Sequence, residues 1–240
     1  MGSKYNYDKD FFEKIDKQEK AYWLGFLYAD GCITRFYKNE KIKSMSLELT
    51  LKESDEGHLF KFLNDLKSNV PIQTRKHKIQ NKEYISKRVV VNNTKLCRDL
   101  IRLGCTPQKS LTLEFPSSDI LSEDFLLDFI RGYFDGDGCV HYSEGMQFHK
   151  QKGKEYLSKN FVVAIVGTYD FLNSLKEVLN KNNINSNDIK HGNTGKAYEL
   201  RITDRYNIKN FYNLIYNNSN THLKRKKEIF EYAFDKLNIK

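Results

Sequence analysis

The stretch AYWLGFLYADGCI, residues 21–33, decides the fold of this 240-residue chain because a second version of it occurs further along. That version is DFIRGYFDGDGCV, residues 128–140. The two segments align without gaps and share a central glycine, an acid near the end, and a glycine and a cysteine directly after the acid. A segment repeated in this way indicates a duplicated architecture, in which each half of the chain is one structural unit.

Each segment is followed by the same order of predicted elements. In the first half, apolar–polar alternation predicts strands at residues 32–37, 44–52, 72–79 and 84–91. Helical spacing predicts helices at residues 54–68 and 94–103. The second half repeats this order at residues 160–167, 169–181, 187–192, 197–203, 206–218 and 221–234. We therefore expect an N-terminal segment (1–19), a first αββαββα repeat (20–115), a linker (116–122) and a second repeat (123–240).

The composition favours a globular protein with a polyanionic partner. Apolar residues make up 39% of the chain, and 40 Lys and Arg stand against 31 Asp and Glu, for a net charge of +9. This balance indicates nucleic acid first and an anionic membrane surface second, with ordinary solubility charge as the alternative. No apolar run approaches the ~18 residues of a membrane span, and we expect neither a membrane partner nor a secretion signal.

The four cysteines indicate free thiols. None of Cys32, Cys97, Cys105 and Cys139 forms a C-x2-C pair with another, so a zinc site is disfavoured. We expect reduced and mostly buried side chains.

Small residues on the repeated helices predict a contact between them. Gly25 and Ala29 are four residues apart, so they share a helix face, and Gly132 and Gly136 do the same. Glycine inside a helix costs about 1 kcal/mol relative to alanine, which favours a common reason in both copies. A close approach of the two helix backbones supplies that reason, and local crowding of side chains is the alternative.

Each repeated helix ends in an acid followed by glycine. Asp30 and Asp137 occupy these ends, and Gly31 and Gly138 suit a left-handed helix cap. A carboxylate is disfavoured at the negative end of a helix, and two carboxylates brought together also repel each other. A hard cation such as Mg²⁺, completed by water and a substrate phosphate, would relieve both effects. Two unrelated surface acids remain the alternative.

The motifs WLGFLYADG, residues 23–31, and IRGYFDGDG, residues 130–138, resemble those of the LAGLIDADG homing endonuclease family. The resemblance is to the single-chain members with two motifs, and it covers nearly the whole chain from about residue 20. It implies an α+β fold of two αββαββα repeats about a pseudo-twofold axis. The motif helices would pack at the interface, and saddle-shaped antiparallel sheets would face DNA.

The same resemblance implies an active site. Asp30 and Asp137 match the metal-binding catalytic acids, and the carbonyl oxygens of Ala29 and Gly136 would assist them. Aligning TPQKS with THLKRK gives Lys109 and Lys224 as basic active-site residues, with Arg225 as the alternative to Lys224. Further positions are less well matched: Glu53 and Thr168 stand where a water-ordering glutamine is common, and Asp135 is not expected to bind metal. The implied cofactor is Mg²⁺, with Mn²⁺ as a substitute and Ca²⁺ binding without supporting cleavage.

Basic and amide side chains of the predicted hairpins are the expected DNA contacts. Lysines and arginines would bind phosphates, and outward strand residues would read base edges. The candidates are Arg35, Gln73, Arg75, Lys76, Lys78, Gln80, Lys82, Lys87, Arg88, His149, Lys150, Lys152, Lys154, Lys190 and Arg201.

The expected activity is divalent-metal-dependent hydrolysis of both strands of double-stranded DNA at a long, asymmetric site, as in intron homing. Two alternatives stay open: an RNA-binding intron maturase acting on its own intron RNA, and a DNA-binding protein without cleavage. Both acids are present, which favours cleavage over the second alternative. We expect a monomer in a bacterial or phage-infected cytoplasm or in an organelle.

Overall fold

The computed structural model describes residues 4–80, 82–149, 151–192, 195 and 197–239. The first half contains these elements: α1 (Gln18–Asp30), β1 (Gly31–Lys38), β2 (Lys41–Lys52), α2 (Glu56–Asp65), β3 (Gln73–Ile79), β4 (Lys82–Asn92) and α3 (Thr94–Arg102). The second half contains α4 (Glu123–Asp137), β5 (Gly138–His149), β6 (Lys154–Gly167), α5 (Tyr169–Lys181), β7 (Lys190–His191), β8 (Tyr198–Ile202), α6 (Arg205–Tyr216) and α7 (Lys224–Leu237). Residues 116–122, the predicted linker, precede α4.

The strands form two four-stranded antiparallel sheets with the same order, β1-β2-β4-β3 and β5-β6-β8-β7. Helices α2 and α3 pack on the first sheet, and α5, α6 and α7 pack on the second. The predicted α+β fold with two tandem repeats is therefore confirmed. The described residues include no helix that is long and apolar enough to cross a membrane.

Alternation along the strands separates two faces of each sheet. In the first sheet the buried side chains include Met45, Leu47, Leu49, Val89 and Val91, which belong to the hydrophobic core. Their neighbours point to the opposite face, where Thr34 and Phe36 are exposed. Because one face is filled by helices, each sheet leaves its other face to solvent over much of its area. We call these two surfaces the open faces.

Helices α1 and α4 pack directly on each other, as the duplicated motifs predicted. A methyl group on Gly25 would lie 2.0 Å from the carbonyl oxygen of Phe129, and one on Gly132 would lie 1.9 Å from that of Tyr22. No side chain fits in such gaps, so the backbones are as close as van der Waals contact allows. The small-residue face is thus the seam between the repeats.

The predicted left-handed caps at Gly31 and Gly138 are wrong. Gly31 has φ −73° and ψ 138°, and Gly138 has φ −83° and ψ 157°, so both are extended and each motif helix runs straight into a strand. Glycine is needed there for space. A methyl group on Gly31 would lie 2.6 Å from the oxygen of Leu27, and one on Gly138 would lie 2.2 Å from a ring carbon of Phe134.

Two predicted boundaries shift for physical reasons. Strand β6 begins at Lys154, well before the predicted residue 160, because the hairpin arm is polar and extends past the helices that bury the rest. Helix α7 begins at Lys224 and not at residue 221, because the carbonyl of Thr221 accepts a hydrogen bond from buried Arg131 at 2.8 Å.

The N-terminal segment belongs to the first repeat. Phe11 and Phe12 are buried in the core, and the amide of Asp8 donates to the carbonyl of Leu66 at 2.9 Å. The segment therefore covers the ends of α2 and α3.

Replacing Gly25 with alanine should destabilise the fold by ~3 kcal/mol, because the new methyl group meets backbone that cannot move aside. The matched control is Gly57→Ala on α2, where nothing lies within 4 Å of the added carbon. That control should be neutral or stabilising by up to ~1 kcal/mol. Urea unfolding of both variants measures the difference, and equal stabilities would show that the seam is loose.

Candidate active site at the end of the helix seam

Two carboxylates meet where the motif helices end. Asp30 is the last residue of α1, and Asp137 is the last residue of α4. The helix ends touch, since a methyl group built on Gly136 would lie 2.2 Å from the Cβ of Ala29 and 3.5 Å from an oxygen of Asp30. The side chain of Asp30 is exposed at one edge, whereas Asp137 is half-buried. The seam therefore brings the two predicted acids together.

The surroundings of both acids disfavour their charge. Burial by neighbouring protein raises the pKa of Asp30 despite its exposed edge. Burial, followed by the negative charge of Asp30, raises the pKa of Asp137 to about 6. Each carboxylate thus carries a charge that a nearby cation would stabilise.

Lys109 lies beside this pair. The side chain is buried and donates a hydrogen bond to the carbonyl of Gly31, the residue after Asp30. It begins the short 3-10 turn Lys109–Leu111, directly after Gln108 in the left-handed conformation (φ 58°). Asn, Asp and Gly tolerate this conformation best, so the turn of the chain at Gln108 is a strained one that directs Lys109 inward.

The second lysine that the structure places beside the acids is Lys226, two residues beyond the predicted Lys224. Lys226 is 4% exposed and donates to the carbonyls of Phe134 at 2.7 Å and Gly136 at 3.0 Å. The side chain of Lys224 is 82% exposed and lies 3.5 Å from Glu228. The alternative residue, Arg225, instead forms an ion pair with Asp55 at 3.1 Å.

A sequence signal for Lys226 exists in the spacing of α7. Phe230 and Ala233 follow Lys226 by four and seven residues and are buried, so all three lie on one helix face. Lys224 and Arg225 are rotated away from that face because each residue turns the helix by about 100°. The apolar periodicity therefore indicates the buried lysine, whereas alignment of short basic stretches does not.

Each lysine acts most strongly on the acid of the other repeat. Lys226 lowers the pKa of Asp30 more than Lys109 does, and Lys109 lowers the pKa of Asp137 more than Lys226 does. Burial lowers the pKa of Lys226 itself to about 8. Each lysine is held by carbonyls at the end of the motif helix of its own repeat, and Lys109 and Asp137 also line one cavity. By these charge effects we call the two acid–lysine pairs the Asp30–Lys226 centre and the Asp137–Lys109 centre.

Asp135 has a structural position inside the second repeat. Its buried carboxylate accepts hydrogen bonds from the hydroxyls of Tyr22 at 2.7 Å and Tyr216 at 2.6 Å, and from the amide of Leu223 at 2.7 Å. The matching residue of the first motif, Tyr28, donates to the carbonyl of Leu103. In both repeats the side chain at this motif position forms a hydrogen bond with the segment that leads to the buried lysine, Lys109 or Lys226.

The residues predicted to order water are occupied in other contacts. The hydroxyl of Thr168 donates to the carbonyl of Leu113 at 2.5 Å and accepts from the amide of Phe171 at 3.2 Å, which caps α5. Glu53 is exposed and lies 3.5 Å from Lys87. Neither side chain is held toward the acids by a hydrogen bond of the described residues.

The donor set fits a hard divalent cation. The described residues contain no group of three His, Cys, Asp or Glu side chains that could hold a metal. Two carboxylates and the carbonyls at the helix ends are hard oxygen donors, and Mg²⁺ commonly takes one or two carboxylates with water and phosphate oxygens. The carbonyl of Gly136 already accepts a hydrogen bond from Lys226, so only its second lone pair remains for a cation.

One cavity lies beside each of the chain segments that carry Lys109 and Lys226. A cavity of about 190 Å³ is lined by Asp137, Lys109 and Thr168, among others. A larger cavity, of about 360 Å³, is lined by Asp55, His58 and Arg225, among others. In the smaller cavity the segment of Lys109 meets residues at the end of β6. In the larger one the segment before Lys226 meets residues that follow β2.

The strand register divides the predicted DNA contacts between two faces. The side chains on the open faces are Gln73, Arg75, Lys82, Arg88, His149, Lys154, Lys190 and Arg201. Two of these form ion pairs within their sheet, Arg88 with Glu48 at 2.9 Å and Arg201 with Glu199 at 2.8 Å. Gln80 and Lys152 lie in hairpin turns.

The side chains of other predicted DNA contacts point to the face of the sheet that the helices cover. Arg35 pairs with buried Met45, so the prediction that it points outward with the base-reading residues is wrong. Alternation places Lys76, Lys78 and Lys87 on that side as well, and Lys87 lies 3.5 Å from both Glu53 and Glu56. Lys150 lies outside the described residues.

The fold and the site define a class: a single-chain protein of two α+β repeats, whose paired helices end in two acids with a buried lysine beside each. Residues 124–216 match the family model described as LAGLIDADG-like domain. The resemblance read from the two motifs is thereby confirmed: the second repeat is similar to a LAGLIDADG-like domain, and the fold of the chain is that of two-repeat LAGLIDADG structures.

Solved structures share this fold over most of their length. The homing endonuclease I-WcaI bound to its DNA recognition sequence is 16% identical, with 91% of each chain covered and a TM-score of 0.61. The LAGLIDADG meganuclease I-AabMI bound to uncleaved DNA is 12% identical, with 90% of each chain covered and a TM-score of 0.56.

The curated relatives are much longer proteins of Methanocaldococcus jannaschii. A probable translation initiation factor IF-2 is 25% identical over 80% of this chain, and a replication factor C small subunit is 27% identical over 72% of it. The matched segments make up 14% and 8% of those proteins, so this chain spans only a small part of either.

Replacing Asp135 with alanine should destabilise the protein by about 3 kcal/mol, because three buried donors lose their common acceptor. Tyr216→Phe removes one of those hydrogen bonds and should cost about 1 kcal/mol. Denaturant unfolding measures both values. If the two variants were equally stable, the carboxylate would not be the organising group of the network.

Asp137→Asn should stabilise the chain in a chelating buffer, and this gain should depend on pH. The pKa of Asp137 rises from 3.8 to about 6 on folding, so the folded wild type binds its proton more tightly. Its stability therefore falls, relative to the variant, as pH rises through that window. The gain should be full above pH ~6 and absent below pH ~4. Melting temperatures across this range measure it, and a difference independent of pH would contradict the raised pKa.

Proposed function

We propose that this protein is a sequence-specific endonuclease that hydrolyses one phosphodiester in each strand of double-stranded DNA with a divalent cation. The observation that carries this proposal is the pair of acids at the end of the helix seam, with a buried lysine held beside each helix end. Two centres in one chain match a substrate with two strands. A second copy of the chain is not required, so we infer that a monomer acts.

The open faces support DNA as the substrate. They present long side chains that hydrogen-bond phosphates and base edges, on a chain with a net charge of +9. The two sheets lie on either side of the seam, so DNA bound along them would pass the acids. The solved structures of I-WcaI and I-AabMI contain DNA, which agrees with this assignment.

A divalent cation is the inferred cofactor. Asp30 and Asp137 would hold it, assisted by the carbonyls of Ala29 and Gly136. When bound, such a cation polarises the phosphoryl group and lowers the pKa of a bound water. Mg²⁺ is the proposed ion, Mn²⁺ would substitute, and Ca²⁺ would bind without supporting cleavage. I-SmaMI has been solved on an uncleaved DNA target in the presence of calcium ions.

The lysines would stabilise charge that develops on the phosphate. Lys109 and Lys226 are buried and are held by backbone carbonyls, so they are already oriented before substrate binds. Preorganised charge in a site of low dielectric contributes most where charge appears in the transition state. For Lys226, the negative charges of Asp135, Asp30 and Asp137 partly offset the burial that lowers its pKa to about 8.

The curated relatives agree with a self-contained module. This chain matches small segments of two proteins that carry unrelated names, which fits a unit whose activity is separate from that of the rest of each protein.

Asp30→Asn or Asp137→Asn should lower cleavage by ~100-fold or more and leave binding within about threefold. A site is first selected from a random double-stranded DNA library by binding, and cutting of that site is then followed with Mg²⁺. Cleavage by either variant at the wild-type rate would contradict the assignment of the acids, and a wild-type protein that binds but never cuts would contradict the proposed function.

The adjacent lysines provide the matched control for this experiment. Lys226→Met should lower the cleavage rate by ~10-fold or more, whereas Lys224→Met should leave it unchanged.

A further inference from the structure

An ion pair joins the two repeats next to the active site. The guanidinium of Arg225, in the first turn of α7, contacts both carboxylate oxygens of Asp55, with the shortest distance at 3.1 Å. The side chain of Asp55 is only 7% exposed, so this is a largely buried charge with a single strong partner. Such pairs are costly to break, because the remaining charge stays buried and unpaired.

This ion pair fixes the start of the helix that carries Lys226. Leu223 precedes α7 and supplies no side-chain cap, among the contacts of the described residues. Three contacts hold the start of the helix. The amide of Leu223 donates to the carboxylate of Asp135, and Arg225 forms its ion pair with Asp55. Lys61 donates to the carbonyl of His222 at 3.2 Å. Two of these three contacts come from the first repeat.

The segment of Lys109 is held differently. There the second repeat supplies the hydroxyl of Thr168, which donates to the carbonyl of Leu113 at 2.5 Å. Thr168 and Asp55 both lie after the second strand of their repeat, at the start of α5 and α2 respectively. Each lysine segment is therefore held by the opposite repeat, one through charge and the other through a neutral hydrogen bond.

Of the two acids, Asp30 is the one whose pKa responds to the charges of the ion pair. The charges of Asp55 and Arg225 both act on Asp30, in opposite directions, whereas the charges acting on Asp137 come from Asp30, Lys109 and Lys226. The pair also lines the larger cavity, and Asp137 lines the smaller one. A change at the pair should thus reach the Asp30–Lys226 centre first.

We propose that Asp55 and Arg225 are positioning residues for the Asp30–Lys226 centre alone, so that cutting of one DNA strand depends on this ion pair and cutting of the other does not. The inference rests on the proposed function. The pair acts through Lys226: with Arg225 anchored, the first turn of α7 is fixed and Lys226 points at the end of α4. Without the anchor the lysine is displaced while the Asp137–Lys109 centre keeps its own contacts.

The test is strand-resolved cleavage of a selected binding site, with each strand labelled separately. Asp55→Asn and Arg225→Gln should slow cutting of the same strand by about tenfold, as expected for a displaced catalytic group, and leave the other strand within about twofold. Nicked DNA should accumulate. Thr168→Val, the matched variant, should slow the opposite strand, and Lys224→Met should slow neither.

Two further variants separate positioning from a loss of folding. Arg225→Lys keeps the charge and should slow the affected strand less than Arg225→Gln does. The exchanged pair Asp55→Arg with Arg225→Asp restores opposite charges next to the larger cavity and should recover part of the lost rate. Melting temperatures of all variants show which are folded, and only folded variants are compared.

The outcomes are distinct. Equal slowing of both strands in folded variants, or slowing of neither, would overturn the positioning role while leaving the nuclease assignment intact. A wild-type protein that binds the selected site but cuts neither strand would overturn the proposed function itself. Strand-selective loss with recovery in the exchanged pair supports the inference.

Discussion

The contact between the backbones of α1 and α4 is the constraint on which the rest of the structure depends. A methyl group at Gly25 or Gly132 would lie within about 2 Å of a carbonyl oxygen of the partner helix, so the two helices meet without intervening side chains. Because each helix ends in an acid and continues directly into a strand, this contact brings both carboxylates together. It also sets the two sheets on either side of them.

Bringing the acids together has an electrostatic cost, and the remaining parts of the site offset it. Burial and mutual repulsion raise the pKa of Asp137, while Lys109 and Lys226 act in the opposite direction on both acids. The lysines are themselves held by carbonyls of the chain segment that follows or ends a motif helix. The balance of these charges is therefore built into the seam, and it requires residues from both repeats at each centre.

Much of this arrangement could be predicted from the sequence, and the failures have identifiable causes. The repeated motifs predicted the helix contact and the element order, because glycine spacing and alternation are local signals. An acid followed by glycine at a helix end predicts a left-handed cap at Gly31 and Gly138. The actual requirement is space beside Leu27 and Phe134, which depends on packing and is not visible in the sequence. Aligning short basic stretches offers Lys224 and Arg225 and not Lys226, because such stretches align in more than one register. The face on which Arg35 lies depends on strand register, which the sequence does not give. The ion pair of Asp55 with Arg225 could not be predicted, because the two residues are far apart in the chain.

The two acid–lysine centres bear on how such a chain could be recombined. If half of one relative were joined to half of another, each acid would face a lysine from a foreign parent. The chimera would inherit its target preference from the open faces, where substitutions touch neither partner. Its activity would depend on whether the two parents agree at the seam, at Asp55 with Arg225 and at Thr168 with Leu113. In such an exchange each half would carry its DNA preference with it, whereas cleavage activity would depend on both halves together.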